Sequence, residues 1–222
     1  MTPFAPIAAQ AAARAGGEAG LEALLPVPKA AAELAAVADD RYLSIMTRRA
    51  FRAGLRHALV DARWPAFEAV FHGFEPYAVR AMRDEDLEAL MNERRIIRHW
   101  AKIKAVRHNA AAMIEIAERE GGFGAWLAAW PGADIIGLWR ELGRRFSQMG
   151  GNSGPYFLRM AGKDTFLLTA DVVAALIAAG VVSRAPKTVG ERRAVQAAFN
   201  AWAEETGRPL SALSRMLALS VG

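Results

Sequence analysis

The sequence predicts an all-α protein, and two observations carry this prediction. Apolar residues recur at helical spacing along almost the whole chain, and no alternating run of β-branched residues bounded by turns is long enough for a sheet. Of the 222 residues, 53% are hydrophobic and 23% are charged. This is enough apolar material for one large domain or for two lobes that share a core.

The N-terminal part of the chain divides into predicted helices separated by glycine and proline. Gly16 and the proline-rich residues 26–28 interrupt the apolar pattern, and Asp39 or Asp40 can cap the helix that follows. The helices predicted here cover residues 4–15, 21–25, 30–37 and 41–60. We expect residues 1–38 to form an N-terminal helical extension and residues 39–222 to form the main domain.

The middle of the chain continues the helical pattern. Pro65 and Pro76 stand at first-turn positions of two short helices, and Asp84 is expected to cap a third. Residues 95–120 then predict one long helix that ends at Gly121, and this helix is the best candidate for a central one. The further helices are predicted at residues 123–130, 135–146, 155–160, 171–179, 190–205 and 209–219.

Charge and composition limit the function classes. Lys and Arg number 28 against 23 Asp and Glu, which gives a net charge of +5 and favours a polyanionic partner. The absence of cysteine excludes disulfides, thiolate nucleophiles and thiolate metal sites. The histidines lack the short spacings of metal ligands, so we expect no metal; they are His57, His72, His99 and His108.

No segment of the sequence predicts a membrane span or a signal peptide. No apolar run approaches the ~20 residues that a bilayer requires, and the alanine-rich start lacks a basic segment followed by a long apolar core. We therefore expect a cytoplasmic protein without membrane contact. Nothing in the sequence demands an oligomer, so we expect a monomer.

The most specific segment is a glycine hairpin between two predicted helices. Such a hairpin exposes backbone N–H groups at a helix N-terminus, where they can hold a DNA phosphate without reading the sequence. Its carbonyl groups are also candidates for holding a monovalent cation. The alternatives are an ordinary helix connection and solvated surface cations. The predicted DNA-binding residues are Gly151, Asn152, Ser153, Gly154, Arg159 and Lys163.

The hairpin and the aspartate that follows it resemble the helix-hairpin-helix DNA glycosylase superfamily. In that superfamily an essential aspartate follows the hairpin, and Asp171 stands after the apolar turn 166–168 at the start of the next predicted helix. The resemblance implies a glycosylase-like helical bundle in two lobes, with Asp171 as the catalytic residue. The alternative is that Asp171 caps the helix beginning at Val172, and one carboxylate can do both.

A second resemblance covers residues 41–130. The string Ile96-Ile97-Arg98-His99, followed by Lys102-Ile103, Ala105 and Asn109-Ala110, is similar to the signature IIRHxxKIxAxxxNA of the DNA-3-methyladenine glycosylase I family. Without the resemblance, the alternative is that the apolar residues Ile96, Ile103 and Ala110 form a stripe in the core. Arg98 and Lys102 would then form a solvated face. The resemblance implies an enzyme that removes an alkylated purine from duplex DNA by base excision repair.

The chain departs from that family at the positions that the resemblance assigns to its site. The family's base-binding glutamate falls at Arg49, and its stacking tryptophan falls at His57. The family's zinc site is absent, because its cysteines are missing and Asp171 stands at the histidine ligand near the hairpin. The resemblance therefore implies a divergent branch without a cofactor and with a changed pocket.

The expected activity is hydrolysis of the glycosidic bond of a flipped base. Tyr156 stands where relatives with lyase activity carry a lysine, which implies a monofunctional hydrolase, and its ring would favour a cationic base such as 3-methyladenine. Phe51, His57 and Trp64 are further pocket candidates together with Arg49, although each could be ordinary core. The alternatives are a DNA-binding protein without catalysis and a glycosylase for a different lesion.

Overall fold

The structure is a computed structural model that describes residues 2–221, and the regular elements of this part of the chain are all helical. The all-α prediction is confirmed. Three short 3-10 helices lie at His72–Phe74, Leu90–Asn92 and Gly132–Asp134. The α-helices are α1 (Ala5–Arg14), α2 (Glu18–Leu24), α3 (Ala31–Ala36), α4 (Asp39–Arg52), α5 (His57–Ala62), α6 (Trp64–Val70), α7 (Pro76–Ala81), α8 (Asp84–Ala89), α9 (Trp100–Glu120), α10 (Phe123–Ala129), α11 (Ile135–Arg145), α12 (Ser153–Ala161), α13 (Ala170–Ala178), α14 (Val189–Thr206) and α15 (Leu210–Ser220).

The chain forms two compact units, each built from separated segments. Unit 1 comprises Met1–Lys29, Pro131–Leu138 and Asp164–Gly222, and unit 2 comprises Ala30–Trp130 and Trp139–Lys163. Helix α11 contributes its first turn to unit 1 and its remainder to unit 2. The predicted domain division after residue 38 stays a prediction.

Unit 1 gathers the N-terminal and C-terminal helices around an aromatic core. Helix α1 packs against α15, and the Phe4 ring lies 5.4 Å from the Trp202 ring. Phe166 and Phe199 stack with their centroids 4.3 Å apart, and all four rings are buried. Burial of such large rings supplies much of the hydrophobic stabilisation of this unit.

Unit 2 is organised around α9, which packs against α4, α7 and α10. Its buried residues include the predicted stripe of Ile103 and Ala110. The helix begins at Trp100 rather than at residue 95 as predicted, because His99 has an extended backbone with φ −138°. Gly121 ends the helix in the left-handed region, as the prediction required.

The predicted single helix over residues 41–60 is wrong, because α4 ends at Arg52 and α5 begins at His57. Gly54, with φ +78°, occupies the connection in a conformation that favours glycine. The buried Lys102 ammonium donates to the Ala53 carbonyl at 2.7 Å and to the Phe51 carbonyl at 3.5 Å. These bonds satisfy carbonyl groups that the end of a helix leaves open.

Three predicted helix starts also need correction. Helix α8 begins at Asp84 itself, and Asp86 rather than Asp84 accepts the N–H of Arg83. Helix α12 begins at Ser153, two residues before Pro155. Helix α13 begins at Ala170 and is capped by Thr169, whose hydroxyl accepts the Val172 N–H.

Candidate functional site

The predicted glycine hairpin joins α11 to α12 and is tied to α9. The Asn109 side chain donates to the Ser147 carbonyl at 3.1 Å and accepts the Ser147 N–H at 2.8 Å. Asn109 is 1% exposed, so this pair of bonds is shielded from water. The hairpin is therefore a fixed loop, held at its entrance by a buried amide of the long helix.

Within the hairpin, the predicted DNA-binding residues lie together but differ in what they present. Gly151, with φ +57°, and Asn152 are exposed, whereas Ser153 is half-buried. Gly154 is buried, and its N–H donates to the Met149 carbonyl at 3.1 Å. The Ser153 N–H likewise donates to the Gly150 carbonyl. These two N–H groups are engaged inside the loop, and the phosphate contact of the hairpin stays a prediction.

The two cations predicted beside the hairpin also differ. Arg159 lies half-buried in the last turn of α12. Lys163 is 8% exposed, and its ammonium donates to the Trp130 carbonyl at 2.7 Å and to the Ala128 carbonyl at 3.4 Å. An ammonium buried in this way closes the end of α10 and is not presented to solvent. This geometry argues against the predicted phosphate contact of Lys163.

Three of the predicted pocket residues line one cavity of unit 2. Arg49 comes from the last turn of α4, His57 from the start of α5, and Tyr156 from the first half of α12. The cavity has a volume of about 540 Å³. The connection between α4 and α5 forms much of its wall, and the further lining residues are Arg52, Ala53, Gly54, Leu55 and Arg56.

Arg49 lies over the ring of Tyr156 in this pocket, with its Cζ atom 4.6 Å from the ring centroid. Burial lowers the pKa of the Arg49 guanidinium, the Tyr156 side chain opposes this shift, and the charge of Arg52 adds to it. The Nε atom of Arg49 is buried and has no hydrogen-bond partner among the described residues. The face of the Tyr156 ring, which was predicted to favour a cationic base, is therefore occupied by the guanidinium of Arg49.

Two neighbouring arginines, Arg48 and Arg52, both form ion pairs with the carboxylate of Asp61. Asp61 accepts from Arg52 Nη2 at 2.6 Å and forms an ion pair with Arg48 at 2.8 Å. These hydrogen bonds lower the pKa of the Asp61 carboxyl. The ion pair with Asp61 holds the Arg52 side chain along the wall of the pocket. Arg49 forms no ion pair with that carboxylate.

Phe51 and Trp64, the other two predicted pocket residues, lie in the aromatic core of unit 2. Phe51 is fully buried with its ring 4.6 Å from that of Phe67. Trp64 stacks on Phe67 at 5.0 Å, and its Nε1–H donates to Glu68 at 3.1 Å. Neither residue lines the pocket described above, so both predictions are corrected to core positions.

Asp171 lies in the first turn of α13, in unit 1, and its side chain is exposed. Because Thr169 supplies the cap, the alternative that Asp171 caps the helix is wrong. A carboxylate in the first turn of a helix interacts favourably with the helix dipole. Its catalytic role stays a prediction.

Comparison with known proteins identifies the family of the chain. A family model described as methyladenine glycosylase matches residues 35–145, which is half of the sequence. The chain belongs to the methyladenine glycosylase family. The matched region contains α4, α9 and α11, and therefore the pocket wall, Lys102 and Asn109.

A curated relative of this methyladenine glycosylase family member agrees with that assignment. DNA-3-methyladenine glycosylase 1 of Escherichia coli strain K12 is 40% identical over 65 residues, which are 29% of this chain and 35% of that protein. The chain thus matches about a third of the length of this curated relative.

Solved structures show the same fold. A 3-methyladenine DNA glycosylase I from Staphylococcus aureus has a TM-score of 0.51 and 22% identity, covering 56% of this chain and 77% of that one. A second structure of a 3-methyladenine DNA glycosylase I has a TM-score of 0.51 and 23% identity, covering 62% and 82%. Likeness at this level establishes the helical fold of these enzymes for the present family member.

Sequence reasoning missed two structural roles in this member of the family. Lys102 is not part of a solvated face, because it is 7% exposed and closes the end of α4. Asn109 is not only a helix residue, because it clamps the hairpin. A polar residue inside a strongly apolar helical stripe is the signal that could have revealed both.

Two features of residues 2–221 bear on other classes of function. No group of three or more His, Asp or Glu side chains there is placed to hold a metal ion. The same residues include no helix with the length and apolar character needed to cross a membrane.

Proposed function

We propose that this protein is a DNA glycosylase that hydrolyses the N-glycosidic bond of a modified purine in duplex DNA. The single observation that carries the proposal is the family match over residues 35–145, which includes the pocket wall between α4 and α5. The net charge of +5 supports a polyanionic partner. The methylated purines of the family name, 3-methyladenine among them, are the first class of substrate to test.

The hairpin supplies the DNA contact in this proposal. Gly151 and Asn152 are exposed on a loop that Asn109 holds in place. Backbone groups of such a loop bind phosphate without reading the base sequence. The contact positions the duplex so that the target nucleotide rotates out of the stack.

Asp171 carries the chemistry in this proposal. As the bond between C1′ and the base breaks, positive charge develops on the sugar, and the Asp171 carboxylate stabilises that charge. The same carboxylate orients the attacking water and accepts its proton while the water oxygen bonds to C1′. The base leaves with the electron pair of the broken bond. No metal or organic cofactor enters these steps.

Release of the base by water, without strand cleavage, is the proposed outcome. Strand cleavage in a lyase requires an amine that forms a Schiff base with the sugar. The described residues that line the pocket include Tyr156 and three arginines but no lysine. A monofunctional hydrolase is therefore the form of the activity that we propose.

The test is base release from methylated duplex DNA, with the products separated by chromatography. We expect the wild type to release a methylated purine and Asp171→Asn to be slower by a factor on the order of 10² or more. Duplex binding by Asp171→Asn should be retained. Glu85→Gln, which changes an exposed carboxylate in the first turn of α8 in unit 2, is the matched control.

The outcomes separate the alternatives. Full activity in Asp171→Asn would remove Asp171 from the mechanism. Duplex binding without base release from any lesion would instead support a DNA-binding protein without catalysis. Binding that stays constant as salt increases would count against duplex DNA as the partner, because phosphate contacts release counterions and weaken steeply with salt.

A further inference from the structure

A short irregular segment, residues 164–169, leads into α13 and so to Asp171, and it lies wholly within unit 1. Two of its side chains, Thr165 and Phe166, are fully buried. The segment forms neither helix nor strand, so its backbone N–H and C=O groups need partners from other parts of the fold. Those partners therefore bear on where the first turn of α13 lies.

Helix α15 is tied to this segment at two points. The carboxylate of Asp164 accepts the N–H groups of Leu210 and Ser211, each at 2.9 Å, at the start of α15. Farther along the segment, the Leu167 N–H donates to Ser214 Oγ at 3.0 Å, and the Ser214 hydroxyl donates to the Leu167 carbonyl at 3.4 Å. A single side chain of α15 thus serves both backbone groups of one residue.

The hydroxyl of Ser214 differs from another buried hydroxyl of the same helix. Ser220 donates to the Leu217 carbonyl at 2.8 Å, which is a bond within its own helix. Ser214 bonds instead to a backbone segment outside α15. The two serines are 3% and 6% exposed, so burial does not distinguish them. Ser220 is therefore a matched control for the role of Ser214.

Few residues separate this contact from Asp171. Thr169 caps α13 by accepting the Val172 N–H, and Asp171 lies within the turn that this cap closes. The Asp171 side chain is exposed, so its backbone sets where the carboxylate lies. Helix α13 also packs against α15. Apolar packing is not directional, whereas hydrogen bonds are, so the bonds of Ser214 add precision that packing does not supply.

We infer that Ser214 is a positioning residue that fixes the first turn of α13, and with it the carboxylate of Asp171, by holding both backbone groups of Leu167. This inference rests on the proposed function, in which that carboxylate stabilises positive charge on the sugar. Such stabilisation depends on preorganised geometry, and a misplacement of about 1 Å can slow a reaction by about 100-fold. Ser214 is itself buried and acts only through Asp171.

Two substitutions that differ in the hydroxyl test the inference. Ser214→Thr and Ser214→Val add nearly the same volume at the buried position, but only threonine keeps the hydroxyl. At saturating enzyme, base release from methylated duplex DNA should be about 10-fold slower for Ser214→Val than for Ser214→Thr. Their dissociation constants for the duplex should agree within about twofold, because the substitution does not touch the DNA. Ser220→Ala should release the base at the wild-type rate.

A double substitution shows whether Ser214 acts through Asp171. In a protein that already carries Asp171→Asn, Ser214→Val should slow base release by less than about twofold further, because no carboxylate remains to be positioned. A general structural role would instead multiply the two losses. Thermal unfolding of each variant confirms that it is folded.

Amide hydrogen exchange gives a readout that needs no catalysis. The Leu167 amide loses its acceptor in Ser214→Val, and the Val172 amide lies in the turn that Thr169 caps. Exchange at both amides should be about 10-fold faster in Ser214→Val than in Ser214→Thr. Ser220→Ala should leave both amides at their wild-type rates.

Each result either supports or overturns the inference. Equal rates of base release in Ser214→Thr and Ser214→Val overturn it, as does a multiplied loss in the double variant. Exchange at the start of α13 that ignores the hydroxyl also overturns it. If the wild type releases no base from any duplex, the proposed function fails, and the exchange comparison alone decides whether Ser214 fixes the first turn of α13.

Discussion

The long helix α9 and the pocket at the end of α4 belong to the same unit, yet they treat buried polar groups in opposite ways. On α9, Lys102 donates to two carbonyls and Asn109 makes two hydrogen bonds to Ser147. In the pocket, Arg49 keeps a buried Nε without a partner. The satisfied groups of α9 hold the backbone in place, whereas the buried Nε of Arg49 makes no such bond among the described residues.

The two kinds of polar group therefore have different places in unit 2: those of α9 support the backbone, and Arg49 lines the pocket. The signature residues on α9 act on backbone: one closes the end of α4 and the other clamps the hairpin. These bonds fix the end of α4 beside the pocket and the entrance of the hairpin. Arg49, which lines the pocket, takes no part in those bonds.

The largest expected effect on stability is at Lys102. Lys102→Met keeps the apolar stem but leaves the Phe51 and Ala53 carbonyls at the end of α4 without their donor. We expect the free energy of unfolding to fall by about 3 kcal/mol, measured by urea denaturation.

Lys104→Met is the matched control for this substitution. Lys104 is exposed on the same helix and contacts the Trp100 ring at 5.1 Å. Its loss should cost less than about 1 kcal/mol. Equal losses at the two positions would contradict the closing role of Lys102.

The next effect is at the hairpin clamp. Asn109→Ala removes both bonds to Ser147, and we expect a loss of about 2 kcal/mol in the free energy of unfolding. Amide hydrogen exchange in residues 146–152 should accelerate, because the loop loses its attachment to α9. His108→Ala, which removes one exposed contact with the Arg145 carbonyl, should leave that exchange almost unchanged. An undisturbed loop in Asn109→Ala would show that the clamp is not what fixes the hairpin.

The smallest effect compares two glycines of the same hairpin. A Cβ at position 154 would lie 3.0 Å from the Met149 carbonyl oxygen, whereas a Cβ at position 150 would meet nothing within 4 Å. Gly154→Ala should destabilise the protein by about 1 kcal/mol through crowding. Gly150→Ala should be neutral or stabilising by about 0.5 kcal/mol, because neither its φ nor its surroundings oppose a side chain. Effects of the same sign would mean that the loop adapts freely.

The sequence predicted the helices well where apolar spacing and glycine agree, as in α9 with its end at Gly121. The prediction of helix bounds failed where a residue distant in the sequence contributes to the local structure. The break between α4 and α5 lies at Gly54 and is supported by Lys102, which lies far along the chain. The pocket was only partly predictable for the same reason: Arg49, His57 and Tyr156 do line it, while the aromatic character of Phe51 and Trp64 serves the core. Periodicity cannot distinguish a buried ring in a core from one that faces a ligand.

The hydrogen bonds of the Lys102 ammonium are satisfied and the buried Nε of Arg49 is not, and one substitution tests this contrast directly. Arg49→Met removes the orphaned donor at the cost of a contact with Tyr156 that is worth about 1 kcal/mol. Urea denaturation of Arg49→Met beside the wild type should therefore show an unfolding free energy that is unchanged or higher, because the substitution removes a buried donor that has no acceptor among the described residues. A fall of about 3 kcal/mol, equal to that expected for Lys102→Met, would contradict the account and place Arg49 in the scaffold.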